Sequence, residues 1–126
     1  MIFEFHADIF EADEDALRVG FAQEGSEQHY FVIQRDDDSI GEVLPNLKNI
    51  YIERDDQCWG GYGGILQIAC DRNNFSVSVD AEMANQMGGY ETLKVFFSFD
   101  DAELQEIQNT LKEIMQGYES RLKLTV

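Results

Sequence analysis

Residues 93–118 read LKVFFSFDDAELQEIQNTLKEIMQGY, and within this one stretch the apolar spacing changes from that of a strand to that of a helix. Leu93 to Phe99 alternates as a strand with one buried face does. From Asp100 onward Leu104, Ile107, Leu111, Ile114, Met115 and Tyr118 fall on one helical stripe. Asp100 followed by Glu103 has the form of a capping box, and the acids of the first turn suit the helix dipole. Gly117 is a natural stop. Beyond it Leu122, Leu124 and Val126 alternate as a short terminal strand, the alternative being a helix that continues past Gly117.

Working back from this junction, period-two alternation dominates the first hundred residues. Phe3, Phe5, Ala7 and Ile9 share one face of a first strand, opposite Glu4, His6 and Asp8. An acidic turn over Glu11 to Asp15 leads to a second strand marked by Leu17, Val19 and Phe21. A third lies within His29 to Arg35, and the three are able to pair as an antiparallel meander. Residues 36–48 read as a loop opened by Asp36, Asp37 and Asp38 and holding the single proline, Pro45. Ile50 and Ile52 restart the alternation. The glycines of Trp59-Gly60-Gly61-Tyr62-Gly63-Gly64 read as turn punctuation. Ile65 to Cys70 and Phe75 to Val79 supply further strands around a tight Asn73-Asn74 turn, and Asp80 caps a short helix reaching Gly88. The expected architecture is a single α+β domain over residues 1–126, a mostly antiparallel sheet of about six or seven strands with the C-terminal helix packed on one face.

Charge is the strongest compositional signal. Among 126 residues, 25 acids stand against 9 bases, a formal net charge of -16. Such a chain repels phosphate backbones and anionic membranes, so neither nucleic acid nor membrane is expected as a partner; a cationic partner, or no charged partner at all, is. Residues 1–63 hold 15 of the acids and 4 of the bases, which concentrates the excess in the N-terminal half. With 44% hydrophobic residues the chain has the material for a core. The opening residues carry acids and no basic region, unlike a signal or transit peptide, and no apolar run approaches membrane-spanning length. Two cysteines, Cys58 and Cys70, make no disulfide framework, and a reducing cytoplasm is the natural compartment.

Sites of chemistry are absent wherever the sequence permits a test. Asp36, Asp38 and Gly41 match three positions of a calcium loop, but Ile40 and Leu47 stand where an oxygen ligand and a bidentate Glu are required. His6, His29, Cys58 and Cys70 lack zinc-ligand spacing. No nucleophile elbow, zinc-protease helix or phosphate loop occurs. Asp55 and Asp56 beside Cys58 would raise its pKa and suppress the thiolate. No cofactor, metal or catalytic group is therefore expected.

One region has the composition of a contact surface. Tyr51, Glu53, Asp55, Asp56, Trp59 and Tyr62, joined by Asp36, Asp37 and Asp38, combine aromatic rings with carboxylates, the make-up of a hot spot for a basic partner. For Trp59 a place in the core is the even alternative.

Several short motifs resemble the immunity protein 10 family of bacterial polymorphic toxin systems. They are a strand ending Phe31-Val32-Ile33-Gln34-Arg35, then Tyr51-Ile52-Glu53 leading to Asp56-Gln57, then Tyr62-Gly63-Gly64-Ile65, and an alternating strand followed by Asp100-Asp101 and the helix. The resemblance implies a non-enzymatic antitoxin that binds and neutralises a cognate toxin. The acidity fits fast association with a basic toxin of the kind that attacks nucleic acid. The rival reading is a small regulatory or ligand-binding domain whose acidity confers solubility.

Overall fold

The computed structural model describes residues 1–25, 29–39 and 41–125, with the side chain of Asp37 outside the described part, as is Val126 of the expected terminal strand. The fold is α+β, and its strands divide into two five-stranded sheets. The first is mixed: β1 (Ile2–His6), β9 (Thr92–Phe96), β8 (Asn74–Val79), β7 (Ile65–Cys70) and β10 (Leu122–Leu124) lie side by side in that order. Its two outermost strands join in parallel and its inner three are antiparallel. The second is an antiparallel meander of β2 (Ile9–Asp13), β3 (Arg18–Ala22), β4 (Tyr30–Arg35), β5 (Ile50–Arg54) and β6 (Asp56–Tyr62).

Three features of the chain separate the ten observed strands from the six or seven expected. The alternation over Phe3 to Ile9 is not one strand. Ala7 donates its amide to Phe96 of the mixed sheet and Asp8 donates to Ala22 of the meander, so the chain changes sheets between them. Glu11 to Asp13 is strand and not turn, because Phe10 and Ala12 pack against the core while Ile9 and Glu11 are exposed on the other face. The stretch Asp56–Tyr62 is also a strand. Its turn is Asp55, at φ 60°, and its glycines serve close approach: a Cβ on Gly60 would lie 2.8 Å from the Ile52 carbonyl oxygen. Gly63 and Gly64, at φ 81° and 77°, make the following turn.

The sheets bury facing aromatic rows. Phe21 of β3 meets Phe75 of β8 and Phe97 at ring separations of 5.2 and 5.6 Å, and Phe31 of β4 meets Phe75 at 5.6 Å. Two helices complete the core. The short α1 (Ala81–Gln86), capped by Asp80 as the sequence predicts, packs on β6. The long α2 (Asp101–Ile114) begins with the predicted capping box, in which Asp100 accepts from the Glu103 amide and Glu103 from the Asp100 amide. It lies against β2 and β3, while Gln108 on the same helix donates to the carbonyls of Cys70 and Thr125 at the edge of the mixed sheet. The helix thus packs on the meander, as expected of a helix on one sheet face, and Gln108 ties it to the edge of the mixed sheet.

Arg35 locks this arrangement. Wholly buried at the end of β4, it donates from Nη1 to the carbonyls of Ile114 and Gln116 and from Nη2 to those of Ser39 and Glu42. The last carbonyls of α2 carry the negative end of the helix dipole, which suits a cation. Gly117, at φ 88°, then ends the helical run as expected.

Candidate functional site

The face of the meander turned away from the mixed sheet carries the side chains that alternate with the buried ones: Tyr30 and Val32 on β4, Tyr51 and Glu53 on β5, Gly60 and Tyr62 on β6. Glu53 is the centre of this outer face. Its Oε1 accepts from the Tyr51 hydroxyl at 2.6 Å and its Oε2 from the Tyr30 hydroxyl at 2.5 Å. Gly60 leaves room for this, since a Cβ there would stand 2.8 Å from the Tyr51 hydroxyl oxygen. Tyr51 and Tyr62, paired across β5 and β6, have ring centres 5.2 Å apart, and the Tyr62 hydroxyl donates to Asp36 at 3.3 Å.

Desolvation, followed by the bond to Glu53, pushes the Tyr51 phenol up to about 12, and the same causes push Tyr30 up further. Both stay protonated donors at neutral pH. A carboxylate fixed by two donors still offers lone pairs to a guanidinium or ammonium and need not be reorganised to receive one.

The structure divides the predicted contact residues between locations. Tyr51, Glu53, Tyr62 and Asp36 form one array. Asp55 sits in the β5–β6 turn and holds it: Oδ1 accepts from the Tyr30 amide, while Oδ2 lies 2.9 Å from His29 Nδ1 and 3.3 Å from Arg54 Nη1. Asp56 is exposed, and accepting the Cys58 amide lowers its carboxyl below the ordinary value. Asp38 is exposed in a 3-10 turn. Trp59 faces the other way. Its ring lies 4.9 Å from the Arg54 guanidinium, which Phe3 and Tyr90 also flank at 4.8 and 5.0 Å, and it remains 38% exposed. Tyr30, distant in sequence from the cluster, joins it in the structure. Its sign was a tyrosine on the polar side of an alternating strand, and only the register of β4 against β5 brings it to Glu53.

Among the described residues no group of three or more His, Cys, Asp or Glu is placed to hold a metal ion, and no helix is long and apolar enough to cross a membrane. Partial desolvation and the neighbouring Asp56 hold the exposed Cys58 thiol above its ordinary value, and burial pushes Cys70 up to about 12. Neither suits a nucleophile.

No curated protein matches the chain, and no solved structure does. The sequence model of immunity protein 10 matches residues 5–105, which span every strand of the meander and the Tyr30–Glu53–Tyr51 array. The chain belongs to the immunity protein 10 family.

Proposed function

We propose that this protein is a non-enzymatic cytoplasmic antitoxin that neutralises a cognate toxin with a basic surface, of the nuclease type, by binding and covering it. The contact face in this reading is the outer face of the meander, with Tyr51, Glu53, Tyr62 and Asp36 as contact residues and Asp55 as their support. Family membership supports the inhibitory role. The observation that carries the surface is Glu53 itself, a carboxylate held by two tyrosine hydroxyls among rings that a cation can stack on. Occlusion needs no catalytic group. A strongly acidic field attracts a basic protein and disfavours competing nucleic acid at the same surface.

The test is binding to the cognate toxin, sought as the product of a gene adjacent to this one, with Glu53→Gln as the probe. Losing one charge-assisted contact costs about 1.5–3 kcal/mol, or roughly tenfold or more in affinity. Unchanged affinity of a folded Glu53→Gln protein moves the contact surface off this face.

A further inference from the structure

Gly20 stands at the centre of β3 on the outer face, and neither conformation nor crowding requires a glycine there. Its φ is not in the left-handed region, and the nearest atoms to an added Cβ would be Val32 Cγ2 at 3.5 Å and the Phe31 carbonyl oxygen at 3.7 Å, ordinary contacts. Glycine in a strand interior lowers stability, and where nothing internal demands it the residue often marks the approach of another molecule. Gly20, itself buried, lies among the residues lining an open depression of about 240 Å³, whose apolar part includes Ile9, Ala22, Val32 and the ring of Tyr30. Ile9 is 46% exposed at its rim. Tyr30 is shared between the two features of this face, lining the depression with its ring and holding Glu53 with its hydroxyl. Glu11, also at the rim, is ion-paired with Arg18 at 2.5 Å.

We propose that the Gly20 depression is the socket for an apolar anchor side chain of the toxin, one that lies beside a lysine or arginine directed at Glu53. The proposal rests on the antitoxin reading above and adds the chemistry of the partner's segment. Charge decides the occupant. The neighbouring Glu53 carboxylate and the net charge of -16 favour a basic protein carrying an exposed apolar residue over a second copy of this chain, which the same charge would repel.

Filling the socket tests it, because the effects on stability and on binding should have opposite signs. Gly20→Ala and Gly20→Val add a side chain at ordinary contact distance in a strand, so the melting temperature should hold or rise. Affinity for that cognate toxin should fall in the order Gly, Ala, Val, by about tenfold or more for Val. If Gly20→Val fails to fold, the alanine variant alone reads the effect. Equal affinity for all three overturns the socket and leaves the antitoxin reading standing. No binding by the wild type overturns both. A wild-type dimer that Gly20→Val converts to monomer makes a second copy the occupant and overturns the proposal.

Discussion

Arg35 is a charged side chain whose four hydrogen bonds all go to backbone carbonyls, so it is the residue on which the junction of β4, the loop after it and the end of α2 depends. Arg35→Met would leave the buried Ile114 and Ser39 carbonyls without their donor and remove the bonds to the half-buried Gln116 and Glu42 carbonyls. We expect a loss of about 3 kcal/mol, read as a lower urea midpoint at unchanged slope. Arg35→Lys should recover little of it, since an ammonium cannot reach both pairs of acceptors. Trp59 asks a different question, because its ring covers Arg54 on the side away from Glu53. Trp59→Ala is expected to lower stability by about 1 kcal/mol through the lost stacking on the guanidinium, while toxin affinity stays near the wild-type value. A large loss of affinity with no loss of stability would place the contact on the Trp59 side. The tyrosines of the array add a pH dependence of known sign. Folded values above the ordinary phenol value near 10 mean that the native state holds these protons more tightly than the unfolded chain does. The resulting stability is complete below pH of about 10 and is lost as pH rises towards about 12. In an absorbance titration, Tyr30 and Tyr51 should ionise later than exposed tyrosines, and Glu53→Gln should bring them forward.

At the scale of elements, α2 supplies the largest single share of apolar side chains added to the core that the facing sheets already form. Leu104, Ile107, Leu111, Ile114, Met115 and Tyr118 are all buried, as their spacing predicts. At roughly 1.5–3 kcal/mol each, their burial is comparable with the whole net stability of about 5–15 kcal/mol expected of a domain. Truncation after Phe99 should therefore yield an unfolded chain, recognised by loss of the strand signal in circular dichroism. A folded truncated form would show that the sheets hold without the helix. The family match ends at residue 105, within the second turn of α2, although five of these six residues lie beyond it. β6 illustrates the opposite kind of element, one whose composition hides it. Asp56–Tyr62 has two glycines and no buried residue, so periodicity gives no sign of a strand. Pairing with β5 creates it, and the close approach of Ile52 and Tyr51 accounts for Gly60.

For the whole molecule, the charge of -16 governs encounter more than the strength of the final complex. Exposed charges are screened over about 10 Å at 0.1 M salt. Raising ionic strength from low to physiological should slow toxin association markedly and change dissociation much less, a difference that stopped-flow binding would resolve. Equal salt effects on both rates would argue against steering. The α+β class, the long C-terminal helix with its capping box, the short helix behind Asp80 and most strand cores were legible because each depends on neighbours in sequence: apolar period, caps and turn residues. So was the acidity that points to a basic partner. The division into two sheets was not legible, since Phe3, Phe5, Ala7 and Ile9 keep one alternation while the chain passes from β1 to β2. The array proposed as the contact face was legible only in part. Local composition brought forward Tyr51, Glu53 and Tyr62, which share one side of a hairpin, but it grouped them with Trp59, which lies on the other. Tyr30 joins Glu53 through the register of β4 on β5, and the Gly20 depression exists only where β2, β3 and β4 lie side by side. Which face a side chain takes, and what stands beside it across a sheet, is set by pairing between distant segments, and that information resides in the tertiary structure.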